Sequence, residues 1–132
     1  MKNVKRFTLP LLAAAALYVP VSQAEAMHYQ LDPQHTSVVV SWEHFGFSHP
    51  TADIPDTTGS LVFDSSKPEQ SRVDVTLPVS KIDSHVPALT KEFKGAEYFD
   101  VAKYPTATFR STKVIAKGDN KFDVEGNLTL KG

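Results

Sequence analysis

Between Ser71 and Val79 the chain alternates without a break. Val73, Val75, Leu77 and Val79 point one way, while Arg72, Asp74 and Thr76 point the other. A period of two over this length is a strand, and its unlike faces place it in an antiparallel sheet with one wet side. The apolar side has to be covered. The rest of the chain must therefore supply further strands and something to lie across them.

The same alternation recurs along the chain. His28–Asp32 reads as a short first strand, ended by the Asp32-Pro33 turn signal. Thr36–Phe45 carries three valines and a tryptophan, which favour strand, with Val38, Val40 and Trp42 directed inward. Gly46–Thr58, with Pro50 and Pro55, reads as an irregular loop across an open end. Gly59–Asp64 is the next strand, with Leu61 and Phe63 on one face, and Ser65–Pro68 is a turn. Thr106–Lys117 and Lys121–Lys131 form a hairpin about Gly118-Asp119-Asn120, residues that tolerate positive φ. Phe122, Val124, Gly126, Leu128 and Leu130 share the apolar face of the last strand, and Gly126 marks a bulge or bend.

Helical character occurs once. Asp83 or Ser84 is a candidate cap, Pro87 suits the first helical position, and Gly95 is a stop. Leu89 and Phe93, four apart, share a face. Beyond it, Glu97–Thr112 is an aromatic plug (Tyr98, Phe99), a turn forced by Pro105, and a strand with Ala107, Phe109 and Ser111 on one face. The expectation is an all-β, mainly antiparallel fold of six strands and one short helix. The sheet curls on itself, and the helix and plug form a lid at its mouth.

Residues 1–26 have the form of a secretory signal: Lys2, Lys5 and Arg6, then an apolar run from Phe7 to Val19, then small residues suited to cleavage. The run is too short to be a comfortable membrane span, so the expected product is a periplasmic protein and not an integral membrane protein. Removing the signal takes three of the 14 basic residues and one of the 15 acidic ones, leaving 11 against 14. That balance argues against a nucleic-acid partner. There is no cysteine, so an exported domain here is held by packing and sheet hydrogen bonds alone.

With these stretches in hand, the chain resembles the YceI-like family of exported, lipocalin-like, polyisoprenoid-binding proteins. The resemblance runs from Tyr29 to Gly132. It is carried by Leu31-Asp32 with His35-Thr36-Ser37, by Gly59–Asp64, by Ser80–Asp83, by Glu97–Asp100 with Lys103–Thr112, and by Val124–Gly132. It implies a lipocalin-like β-barrel over residues 27–132. It also implies further strands after the Leu128–Gly132 segment, so the C-terminal strands of an eight-stranded barrel are expected to be missing from this chain. The implied function is binding without chemistry. A polyisoprenoid or isoprenoid-tailed lipid would lie along an apolar lining of Val38, Val40, Trp42, Phe63, Val75, Leu77, Phe109, Val124 and Leu128, with Leu89, Phe93 and Phe99 at the mouth. Lys91, Lys94 and Arg110 are candidates for a polar head group.

Other functions fit less well. No glycine-rich phosphate loop or nucleophile elbow is present, and Ser, His and Asp occur without meaningful spacing, so no catalytic residue and no cofactor is expected. His28, His35, His44 and His49 invite a periplasmic metal site, yet no two stand at an i, i+2 or i, i+4 spacing, and no metal ligand is assigned. A third reading is an interaction module in which the last strand recruits a partner or a second copy, giving a homodimer by strand addition.

Overall fold

The computed structural model describes residues 25–132, so nearly all of the expected signal segment lies outside the described residues. The strands are β1 (Met27–Gln30), β2 (Val38–Ser41), β3 (Thr51–Ile54), β4 (Thr58–Phe63), β5 (Arg72–Leu77), β6 (Ala107–Gly118) and β7 (Lys121–Thr129). The helix α1 spans Pro87–Lys94, and short 3-10 turns occupy Pro68–Gln70 and Val79–Lys81. Five strands form one antiparallel sheet in the order β1-β4-β5-β6-β7, and β2 and β3 form a separate antiparallel pair. Among the described residues the large sheet remains open, with β1 and β7 at its edges.

The main departure from expectation is β3. Residues 46–58 contain a strand, not a continuous loop. Val38 pairs with Ile54 and Val40 with Ala52, and the first long strand shortens to Val38–Ser41 because its partner is four residues long. Ala52 is 0 % exposed and Ile54 2 %. With Val79, Ile82 and Ala107 they form the core, against which Val38, Val40, Trp42, Leu77, Phe93, Phe99 and Val101 pack. Asp53 and Asp83 exchange backbone hydrogen bonds of 2.8 and 2.9 Å, which fastens the small sheet to the turn carrying Ile82. The core thus sits at one end of the large sheet, where Leu77 pairs with Ala107.

Helix α1 starts at Pro87, as its fixed φ and absent N–H allow. The cap differs from expectation. Val86 holds the N-cap position without a side-chain bond, and Asp83 and Ser84 act one step earlier. Asp83 Oδ1 accepts the His85 N–H at 2.8 Å, and Thr90 Oγ1 accepts the Ser84 N–H at 2.9 Å. The His85 N–H, aided by the Thr90 hydroxyl, holds the Asp83 carboxyl below the usual carboxylate range. At the other end Gly95 is extended, at φ −73° and ψ 170°, so it stops the helix without the left-handed conformation expected of it. A side chain there would press on the Glu92 carbonyl, 3.1 Å from its Cβ.

The sheet bends at β6. Its pairing with β7 shifts register between Ser111 and Lys113, opposite Gly126 and Glu125. The bulge expected at Gly126 therefore lies across from it, on the partner strand. Gly126 serves a different purpose: a Cβ there would fall 2.4 Å from Phe109 Cζ, because the phenyl ring lies over its backbone. On the other side, the β5–β6 ladder ends at Asp74 and Arg110. The next amide, Val73 N–H, donates to Ser111 Oγ at 2.8 Å. The hydroxyl replaces the missing ladder carbonyl and lets β6 leave β5 for β7. Ser111→Ala leaves that amide unpaired and is expected to cost about 1–2 kcal/mol, read as a lowered urea midpoint with an unchanged m-value.

Candidate functional site

The inner face of the large sheet follows from register. Tyr29 pairs with Leu61 and Leu61 with Val73. Val75 stands between Gly59 and Phe109, and Phe109 pairs with Leu128. The extra residue at the bulge, Thr112, keeps Ser111 and Val114 on this same face, and Val114 pairs with Val124. The opposite face carries the rows Gln30–Ser60–Asp74–Arg110 and Thr58–Thr76–Thr108. One side of the sheet is thus apolar and the other polar, as the alternation of β5 requires.

The curl of the sheet shows in a single contact. The rings of Phe63 on β4 and Phe122 on β7 stand edge to face with centroids 5.4 Å apart. β5 and β6 lie between those strands. In a flat sheet three inter-strand steps would separate them by roughly 14 Å. The sheet has therefore coiled until its second and fifth strands meet through their side chains. Beneath this contact is a trough of about 400 Å³ lined by Tyr29, Leu61, Phe63, Ser71, Val73, Val114, Phe122 and Val124, with no charged group.

A second hollow, of about 610 Å³, lies under α1. Val40, Trp42, Ile82, Leu89, Phe93, Tyr98 and Phe99 supply its apolar wall, and Ser41, His44 and Glu92 its polar rim. Phe93 is the hub. Its ring meets Trp42 at 5.1 Å, Tyr98 at 5.4 Å and Phe99 at 6.3 Å, all steeply inclined. The helix and the aromatic plug are joined here, with backbone bonds from Phe99 N–H to Phe93 C=O and from Asp100 N–H to Gly95 C=O.

The twelve residues expected to line a site fall into three groups. Val38, Val40, Trp42, Leu77, Phe93 and Phe99 pack on the core, and Leu89 joins Phe93 and Phe99 at the hollow. Phe63 and Val124 both line the trough. Val75, Phe109 and Leu128 form the row between the two regions. Tyr29, Leu61, Val73, Val114, Phe122 and Ile82 complete the walls and are absent from the expected lining. For Tyr29, Leu61, Val73 and Phe122 the signal is the same alternation, extended by register across the large sheet, whereas Val114 falls on the other face by strict alternation and reaches this one only through the bulge at Thr112. Of the basic residues considered for a head group, Arg110 lies on the opposite, polar face with its Nε 3.6 Å from Asp74 Oδ1. Lys91 is exposed on α1, and Lys94 borders a separate surface hollow with Lys81 and His85.

Two of the four histidines considered for a metal site have side-chain partners. His35 Nδ1 is 2.6 Å from Asp32 Oδ2, and the His44 ring rests against Phe45 at 4.6 Å. No group of three His, Asp or Glu suited to a metal ion occurs among the described residues. No helix among them is long and apolar enough to cross a membrane.

If the aromatic pair closes the curl, the two rings should be energetically coupled. A double-mutant cycle on Phe63→Leu and Phe122→Leu is expected to give a coupling of about 0.5–1.5 kcal/mol by denaturant unfolding. Additive effects would mean that the rings do not hold the strands together.

Comparison with known proteins agrees with this architecture. The sequence profile of the YceI-like domain matches residues 29–132. A UPF0312 protein of Azotobacter vinelandii is 39% identical over 127 residues, covering 95% of this chain and 66% of that protein. Protein YceI of Salmonella arizonae is 36% identical over 133 residues, covering 99% of this chain and 66% of that protein. The chain therefore spans just under two thirds of the length of these curated relatives. Among solved structures, Burkholderia cenocepacia BcnA superposes with a TM-score of 0.66 at 29% identity, over 73% of this chain and 58% of that one. A Campylobacter jejuni YceI protein superposes with a TM-score of 0.60 at 26% identity, over 79% and 61%. An antiparallel sheet curled about an apolar face, the profile match and these relatives agree: this chain belongs to the YceI-like family and has its lipocalin-like fold.

Proposed function

We propose that this chain acts as an exported, non-enzymatic carrier that holds a polyisoprenoid or isoprenoid-tailed lipid along its inner face. The observation that carries the reading is the uncharged trough under Phe63 and Phe122, continued by the Val75–Phe109–Leu128 row toward the aromatic hollow under α1. A branched hydrocarbon chain asks for such a surface and for few polar groups. Burial is worth about 0.8 kcal/mol per methylene-sized group, so a five-carbon unit contributes up to about 4 kcal/mol. The exposed apolar side chains on this face, Tyr29, Val124 and Leu128, are those a ligand would cover.

The signal-like pattern of residues 1–26 supports export to the periplasm, and the YceI-like membership supports a binding role in place of catalysis. A second reading draws on β7, an edge strand carrying Val124 and Leu128 with 41% and 61% exposure. Pairing of β7 with a second copy would cover the same side chains, giving a homodimer in which the apolar face is shared.

Native mass spectrometry of protein recovered from a bacterial periplasm, followed by solvent extraction, separates these readings. The carrier reading predicts a stoichiometric extra mass on the monomer that extracts as an isoprenoid. A bare, folded monomer would defeat it, and a bare dimer would transfer support to strand addition.

A further inference from the structure

The end of the β2–β3 ribbon carries a feature that the carrier role of the inner face does not use. Beyond β2 the chain turns back through Phe45-Gly46-Phe47, and both phenylalanines are exposed, at 83% and 92%. The turn is built, not loose. His44 N–H donates to Ser48 C=O at 2.8 Å, Phe47 N–H to His44 C=O at 3.0 Å, and Trp42 N–H to Pro50 C=O at 3.2 Å. Phe45 adopts φ +52° and Gly46 φ +73°. Glycine tolerates that region, but a bulky aromatic residue there is an outlier with a real cost. The fold thus holds two large apolar side chains in water, and the first of them, Phe45, on a strained backbone where a polar residue such as Asn would be favoured on both counts.

We propose that this tip is a membrane-docking element that enters the headgroup layer of a zwitterionic lipid surface. Three observations select this partner. A pair of rings protruding from a narrow turn is a wedge, and a lipid interface accommodates a wedge without a complementary pocket, whereas a protein partner would need a pocket packed around both rings. Phenylalanine supplies the apolar area that such insertion needs. Between Glu43 and His49 the only formal charge at neutral pH is that of Glu43, so attraction to an anionic surface plays no part. The tip also adjoins the aromatic hollow, because Trp42 and His44 at its base line that cavity. Docking would bring the hollow to the bilayer surface. The use of the device rests on the carrier reading, but the docking itself does not, and it is measured without cargo.

The test is co-sedimentation with phosphatidylcholine vesicles, comparing the chain with its Phe45→Ser/Phe47→Ser variant. The leader segment is common to both proteins and cancels in the comparison. Partitioning is expected to fall by about tenfold or more in the variant, and the wild-type value to be insensitive to salt. Phe47→Trp keeps an aromatic side chain and reports depth. Its emission should shift to the blue on adding vesicles and be quenched by bromine-labelled lipids beyond the quenching seen for wild type, whose only tryptophan is Trp42. Equal partitioning of the Ser variant with no added quenching at position 47 overturns the proposal. So does emission from the Phe47→Trp variant that is already blue-shifted before vesicles are added, which would place the tip against protein, or self-association that the Ser variant abolishes. If the Ser variant unfolds, the quenching result decides alone. Loss of extracted isoprenoid with intact vesicle binding would instead count against the carrier reading and leave the tip in place.

Discussion

Phe63 meets Phe122 only because β6 bends, and the bend is the constraint from which the inner face follows. A flat sheet would leave its apolar side chains pointing in parallel into water. The bulge about Thr112 and the hydroxyl of Ser111, which takes over a ladder bond from β5, let β6 swing away and carry β7 round toward β4. The ring of Phe109 over Gly126 shows how tightly the two strands then approach. Curvature turns a one-sided sheet into a trough, and a trough is a shape in which an apolar chain can be kept from water.

The two ends of the sheet are completed in different ways. At the Leu77–Ala107 end the chain covers itself, with Ala52 and Ile54 of β3 and the Val79–Ile82 segment closing a dry core. Helix α1 is too short to stand by propensity. Phe93 pins it to Trp42, Tyr98 and Phe99. At the Phe63–Phe122 end nothing among the described residues lies across the face, and Val124 there, like Leu128 on the row toward the other end, stays in contact with solvent. The same side chains that would be ordinary core in a closed sheet are here a surface that gains free energy by being covered.

Much of this is readable in the chain. The period of two sets the faces of β5 and β7, Gly118-Asp119-Asn120 sets the hairpin with all three residues at positive φ, and Pro87 sets the start of α1. The segment that pattern does not reveal, β3, is four residues of Thr-Ala-Asp-Ile between prolines, too short and too polar to show a period. Its burial comes from tertiary pairing with β2 and with Asp83, which local pattern does not encode. A glycine is the usual marker of a bulge and points to Gly126, whereas the irregularity falls on the strand opposite, where a serine hydroxyl can repair the ladder. Leu61, Val73 and Phe122 are visible as apolar-face residues, but that Phe63 reaches Phe122 depends on the amount of curl, which sequence leaves open. The exposure of Phe45 and Phe47 is hidden in the sequence because they sit within what reads as the end of a strand and the start of a loop.

The proposed carrier role requires the inner face to bind by burying hydrocarbon along its length. The most direct measurement is the dissociation constant for a series of prenyl alcohols that grow by one isoprene unit, from geraniol through farnesol to geranylgeraniol, with Trp42 fluorescence or calorimetry as readout. Binding by burial predicts that each added unit tightens binding by at least about tenfold until the face is filled. A constant that does not change with chain length would contradict the account, because it would place the recognition in the head group and not in the apolar face.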